Sequence, residues 1–79
     1  PVATLRREVW MRTGVIRWFS DHRGYGFIDL DDEKAGEPLY VHHTAILGRG
    51  YRSLRAGQNV RFEVRRDGSL RQAIDVEVV

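Results

Sequence analysis

The chain has 79 residues, of which 42% are hydrophobic and 30% charged, and its formal net charge is +2. This size and composition predict one small folded domain and exclude an intrinsically disordered chain. Cysteine is absent, which excludes disulfides and thiolate metal sites. No signal peptide is recognisable, and no apolar run is long enough to cross a membrane as a helix. We therefore expect, by default, a cytoplasmic protein with no membrane partner.

The charges are unevenly distributed along the chain. Residues 29–37 hold five acids and one base, so this segment carries −4 and the remainder carries +6. A solvated acidic loop beside an ordinary surface would account for this distribution, and so would a basic face for an anionic partner. Twelve of the thirteen basic residues are arginine, which stacks on bases and binds phosphate with two donors. That bias favours nucleic acid, although the base composition of the genome could produce it too.

The first twelve residues differ from the rest of the chain. They show no clear period and contain three arginines and a lone Trp10. We predict that residues 1–12 form a loosely ordered N-terminal extension and that residues 13–79 form the domain. The pattern leaves two interpretations open: a basic arm that contacts phosphates, or a segment foreign to the domain.

Five segments are predicted to be β-strands. They are rich in β-branched and aromatic residues, or alternate between apolar and charged residues, and turn-forming residues separate them. The predicted strands are residues 13–20, 24–30, 39–43, 59–66 and 70–78. Residues 44–58 form a long connection with three glycines and a short helical turn at 44–47. Five short strands with glycine-rich turns predict an all-β fold, a five-stranded antiparallel barrel, because closure removes exposed sheet edges.

Two of these strands would place rings on one face and aliphatic side chains on the other. Strand side chains alternate between faces, so Tyr25 and Phe27 lie together, as do Tyr40 and His42. A sufficient core is already predicted from other residues: Val15, Ile28, Leu39, Val41, Ile46, Leu54, Val60, Phe62, Val64, Ile74 and Val76. Burying the rings as well would overfill so small a domain. The pattern therefore predicts an exposed surface that stacks flat ligands.

The order of the motifs is specific. Trp18-Phe19 precedes Arg23-Gly24-Tyr25-Gly26-Phe27-Ile28, and Leu39-Tyr40-Val41-His42-His43 follows. From Met11 onward the chain resembles the bacterial cold shock proteins, or cold shock domain family. This resemblance implies an oligonucleotide-binding (OB) barrel that binds single-stranded RNA and DNA and acts as a nucleic-acid chaperone. The chain departs from the family at His43, where phenylalanine is usual, and in its longer, acidic loop between the two motifs.

The predicted interface combines stacking rings with charged side chains at their edge. Arg17 and Arg23 would contact phosphate or stack on a base edge. Asp29 would accept a hydrogen bond from a base amino group and repel phosphate. The stacking candidates are Trp18, Phe19, Tyr25, Phe27, Tyr40, His42, His43 and Tyr51. One conflict stays open: strict alternation puts Ile16 and Trp18 on the same face, and a bulge in the first strand would separate them.

Other functions have less support in the sequence. A protein-interaction barrel could use the same rings to dock a partner or a second copy of the chain. A hydrolase or nuclease has no motif support, because no nucleophile triad, carboxylate pair or phosphate-binding glycine loop is recognisable. Adjacent His42 and His43 would point to opposite sides of a strand, which is poor geometry for a metal. We therefore predict a monomeric binding protein with no enzymatic activity, metal or cofactor.

Overall fold

The computed structural model describes residues 11–32, 36–48 and 53–79. These residues form five strands: β1 (Arg12–Ser20), β2 (Tyr25–Leu30), β3 (Leu39–His42), β4 (Asn59–Asp67) and β5 (Leu70–Val78). A 3₁₀ turn, His43–Ala45, follows β3, at the start of the connection where a short helical turn was predicted. All five predicted strands are confirmed, and each strand end lies within one residue of its prediction.

The strands close into a barrel in the order β1-β2-β3-β5-β4. Four of the pairings are antiparallel, and β3 pairs with β5 in parallel. The predicted five-stranded barrel is confirmed, but one of its five strand pairings is parallel and not antiparallel as predicted. A closed ring with an odd number of strands cannot alternate direction throughout, so at least one pairing has to be parallel. Here that pairing joins β3 to β5.

The barrel interior is a single apolar cluster. Its buried residues are Ile16, Ile28, Leu30, Leu39, Val41, Ile46, Leu54, Val60, Phe62, Ala73 and Val76. Two core predictions were wrong, because Val15 and Ile74 are only half-buried. Their neighbours Ile16 and Ala73 occupy the interior instead. Val64 packs against the cluster without being fully buried.

The barrel begins one residue before the predicted domain boundary. Arg12 is the first residue of β1, and its Nη2 donates a hydrogen bond to Asp32 Oδ1 at 2.8 Å. The predicted loose extension otherwise lies outside the described residues, since the description starts at Met11. Within residues 11–32, 36–48 and 53–79, no helix is long and apolar enough to span a membrane.

Candidate nucleic-acid interface

A bulge in β1 turns Trp18 to the outside of the barrel. Ile16 is paired with Ile28 and Trp18 with Phe27, so Arg17 is an extra residue in β1. Ile16 is therefore buried with 1% of its surface exposed, whereas Trp18 is 40% exposed. The register shift resolves the conflict that strict alternation raised for these two residues.

Gly26 allows the two strands to approach closely at this point. A Cβ atom on Gly26 would overlap the carbonyl oxygen of Trp18 and would lie 2.7 Å from the Cα of Phe19. Any larger residue would push β1 away from β2 and disturb the pairing that holds Trp18 outward. The glycine between the two rings of β2 thus has a structural role.

The outer face of β2 and β3 carries the predicted rings. Along β2, Gly26, Ile28 and Leu30 are buried while the alternating residues are half-exposed. Tyr25 is paired with His42 and Phe27 with Tyr40 across the β2–β3 ladder. Residues directly opposite each other in a ladder have side chains on the same face. The four rings therefore form one patch.

The rings contact one another as a continuous cluster. The Trp18 ring centroid lies 5.6 Å from that of Tyr25 and 5.4 Å from that of Phe27. Tyr40 lies 5.8 Å from Tyr25 and 6.0 Å from Phe27, and His42 lies 6.5 Å from Tyr40. We call this set the aromatic face: Trp18, Tyr25, Phe27, Tyr40 and His42. Aromatic pairs at these distances stabilise each other by about 0.5–1.5 kcal/mol, so the contacts help to hold the rings in position.

Three other predicted residues are located differently. Phe19 is paired with the inward-facing Gly26 and packs against the core, so it lies off the aromatic face. Arg23 is exposed in the turn between β1 and β2, where its backbone N–H donates to Ser20 Oγ at 3.1 Å. Tyr51 lies outside the described residues.

The rings of the two histidines lie together. The prediction that they point to opposite sides of a strand was wrong. Strand β3 ends at His42, and the 3₁₀ turn brings the His43 ring back to a centroid distance of 4.5 Å from the His42 ring. The Thr44 backbone N–H donates to His42 Nδ1 at 3.3 Å, and Thr44 Oγ1 lies 2.8 Å from the same nitrogen. Because Nδ1 acts as an acceptor, the neutral His42 ring carries its proton on Nε2.

His43 is also fixed by the turn before β2. Its backbone N–H donates to the Gly24 carbonyl at 2.9 Å. Gly24 has a φ of +76°, and a Cβ there would lie 2.7 Å from His43 Cδ2. The position therefore favours glycine on both counts. The first motif thus helps to position the last residue of the second.

Arg17 and Asp29 neutralise each other at the edge of the aromatic face. Arg17 Nη2 lies 2.8 Å from Asp29 Oδ1, and Arg17 Nε donates to Asp29 Oδ2 at 3.2 Å. The two side chains are 50% and 46% exposed, so the pair contributes at most about 1 kcal/mol to stability. The separate roles predicted for Arg17 on phosphate and Asp29 on a base are therefore coupled, because both carboxylate oxygens already bind the guanidinium.

The β4–β5 hairpin adds residues that the prediction missed. A hollow of ≈ 220 Å³ lies beside the rings, with Phe27 and Tyr40 on one side and Leu70 and Arg71 on the other. Leu70 is 56% exposed, so its side chain is accessible beside the hollow. The sequence contained one signal, an apolar residue directly after the Asp67-Gly68 turn, but nothing in it showed that β5 lies beside β3.

The remaining ion pairs lie elsewhere on the barrel. Arg12 and Asp32 meet at the end of β1 opposite Trp18, and the hydrogen bond from Arg12 lowers the pKa of the Asp32 carboxyl. Arg61 Nη2 on β4 lies 3.0 Å from Glu77 Oε1 on β5. In the described part of the chain, no group of three histidine or acidic side chains is arranged to hold a metal ion.

Comparison with known proteins identifies the family. The family model of the 'Cold-shock' DNA-binding domain matches residues 12–79. The chain belongs to the cold-shock DNA-binding domain family. The resemblance stated from the motifs is thus confirmed, and a nucleic-acid-binding function of the cold-shock type follows from this membership.

Individual relatives agree with this assignment. The chain is 44% identical over 69 residues to the cold shock-like protein CspA of Stigmatella aurantiaca. The matched region covers 87% of this chain and 98% of that protein. It is 40% identical over 68 residues to the cold shock protein CapB of Pseudomonas syringae, covering 86% and 94% of the two chains. It is 48% identical over 64 residues to glycine-rich protein 2 of Nicotiana sylvestris, covering 80% of this chain but only 29% of that longer protein.

A solved structure, drosophila Unr CSD456, supports the fold. It matches with a TM-score of 0.73 at 23% identity, over 96% of this chain and 30% of that chain. At this level of identity the likeness concerns the fold alone. It agrees with the predicted OB barrel.

Proposed function

We propose that this cold shock domain binds single-stranded RNA and DNA by stacking bases on the aromatic face. The observation that carries the proposal is the unbroken contact of five rings on the outer face of β1, β2 and β3, beside a separate and complete apolar core. Every base has a flat π-face, so such a surface accepts unpaired strands with little sequence preference.

The number of rings is sufficient for useful affinity. Each stacked base contributes about 1–3 kcal/mol. Three or four occupied rings would then supply on the order of 5–8 kcal/mol, given that stacking contributions are not additive. This free energy corresponds to roughly micromolar binding before any phosphate contact. Arg23, exposed in the turn between β1 and β2, is available for such a contact, since no ion pair within the described ranges involves its guanidinium.

Binding to open strands leads to chaperone activity by mass action. A base that stacks on the aromatic face cannot pair at the same time, so the domain binds the open state and not the hairpin. A ligand with this preference shifts the equilibrium toward the open state. The proposal involves no chemical reaction on the strand, and a recovered oligonucleotide should be intact. The monomeric state and cytoplasmic location stay predictions.

Tryptophan fluorescence provides the direct test. Because Trp10 would add a second signal, the measurement uses the Trp10→Phe variant, in which Trp18 is the one remaining indole. Titration with oligothymidine should quench Trp18 fluorescence with roughly micromolar affinity, weakened by salt. Absence of quenching and of binding at low salt would contradict the proposal. Self-association that is nearly insensitive to salt would instead favour the protein-interaction barrel.

A further inference from the structure

The outer surface that carries the rings continues beyond β3. The ladder pairs connect Trp18 to Phe27, Phe27 to Tyr40, Tyr40 to Gln72 and Gln72 to Arg65. Directly paired residues have side chains on the same face. One row therefore crosses all five strands of the barrel, with rings on its first three strands and an amide and a guanidinium on its last two.

A cleft lies along the polar half of this row. It has a volume of ≈ 410 Å³, and its walls include His42 and Thr44 from the β3 side and Gln72 and Arg65 from the hairpin. This volume falls in the range of small-molecule sites, about 300–1,000 Å³. The amide of Gln72 both donates and accepts hydrogen bonds, and the Thr44 hydroxyl, whose hydrogen is directed to His42 Nδ1 at 2.8 Å, can still accept one. The cleft thus offers polar groups that can pair with the edge of a base.

The charge of Arg65 distinguishes it from three other arginines of the barrel. Arg12, Arg17 and Arg61 each form an ion pair with an acid. Across residues 11–32, 36–48 and 53–79, no ion pair involves Arg65, which is exposed. Asp75 on β5 also lines the cleft. A carboxylate repels phosphate, so a phosphate entering the cleft would bind on the Arg65 side.

We propose that this cleft is a further nucleotide-binding subsite. Arg65 binds a phosphate there, and Thr44 and Gln72 hydrogen-bond the edge of a base whose neighbour stacks on His42. The inference rests on the proposed function and extends it in one respect. Stacking on rings is tolerant of sequence, whereas hydrogen bonds to a base edge depend on which base is present. The subsite is therefore where this domain would distinguish one base from another.

The test combines the length of the oligonucleotide with its salt dependence. Affinity is measured for oligothymidines of about three to nine nucleotides, a range that spans the site size of one OB barrel. For the wild type, affinity should rise with length until the cleft is filled. In Arg65→Gln it should stop rising at a shorter length. The slope of log affinity against log salt should fall in magnitude by about 0.7, the contribution of one phosphate contact to a single strand.

Arg61→Gln is the matched control. It removes the same charge from the same strand, but Arg61 is paired with Glu77 and does not line the cleft. With long oligonucleotides, the wild type should bind more tightly than Arg65→Gln. The ratio of the wild-type affinity to the Arg65→Gln affinity should shrink about threefold between 50 and 200 mM salt. Arg61→Gln should show neither the earlier plateau nor the change in slope. Urea unfolding should show that both variants are folded.

The outcomes separate the two proposals. Equal behaviour of Arg65→Gln and Arg61→Gln, with normal wild-type binding, overturns the subsite and leaves the aromatic face intact. A wild type that binds no oligonucleotide at any length overturns both. A further measurement replaces the terminal thymidine of the longest oligonucleotide by each of the other bases in turn. This replacement should change the affinity of the wild type more than the affinity of Arg65→Gln, because the variant holds the terminal nucleotide less firmly.

Discussion

The two faces of β2 are built from adjacent residues and differ in what they contribute. Toward the interior, Gly26, Ile28 and Leu30 are buried, and Ile28 belongs to the single apolar core. Toward the outside, Phe27 contacts the rings of Trp18 and Tyr40 and is only half-buried. The comparison shows how a small domain separates stability from binding. A change at an inward residue should affect mainly the free energy of unfolding, whereas a change at its outward neighbour should affect mainly the affinity for nucleic acid.

The largest effect should come from the inner face. Ile28 has no exposed surface, so Ile28→Ala leaves a cavity and should lower the free energy of unfolding by about 2–5 kcal/mol. That loss is a large fraction of the total stability of a small domain, which is about 5–15 kcal/mol. Urea unfolding followed by circular dichroism measures it.

The milder Ile28→Val keeps the comparison usable if the alanine variant does not fold. It should cost about 0.5–1.5 kcal/mol. Its affinity for oligothymidine should equal that of the wild type, because the valine does not reach the outer face. A folded Ile28→Val that binds several-fold more weakly would show that the two faces are not independent.

Phe27→Ala should give the opposite result. Removing one stacking ring should weaken binding to oligothymidine by about 5- to 150-fold, corresponding to 1–3 kcal/mol. Phe27 contacts three rings, so at about 0.5 kcal/mol or more for each pair their loss should cost at least about 1.5 kcal/mol of stability, without unfolding the domain. Fluorescence titration and urea unfolding of the same preparation give both numbers. If Phe27→Ala unfolds the domain, the ring belongs to the core and the aromatic face is misassigned.

The outward rings of β2 and β3 could be predicted because alternation within a strand is a local property. The bulge at Arg17 was less accessible to sequence reasoning. Alternation alone raised a conflict between Ile16 and Trp18, and only the ladder pairs show which residue is inserted. The joint position of His42 and His43 was predicted wrongly, since the last residue of a strand and the first of a 3₁₀ turn do not alternate.

Contacts between distant strands were the least predictable part of the interface. The hairpin residues Leu70, Arg71 and Gln72 reach the rings because β5 runs parallel to β3, and no local pattern indicates that pairing. The ion pair between Arg17 and Asp29 was equally difficult to predict from the sequence. Each residue was identified as a candidate, but their contact depends on the register between β1 and β2.

The smallest effect should come from the charged end of the outer face. Asp29→Asn removes the carboxylate that holds Arg17 and leaves a side chain of the same shape. Arg17 would then be available to phosphate, so binding should become tighter at low salt and the salt slope steeper by about 0.7. The free energy of unfolding should fall by at most about 1 kcal/mol, since the pair is half-exposed.

Glu77→Gln is the control for this last change, because it frees Arg61 in the same way and alters the net charge equally, away from the rings. Titrations of both variants with oligothymidine and with an oligonucleotide of amino-bearing bases distinguish the two roles of Asp29. Tighter binding in Asp29→Asn but not in Glu77→Gln means that the carboxylate limits phosphate contact by occupying Arg17. Weaker binding, confined to the bases that carry amino groups, would instead mean that Asp29 accepts a hydrogen bond from the base and releases Arg17 on binding.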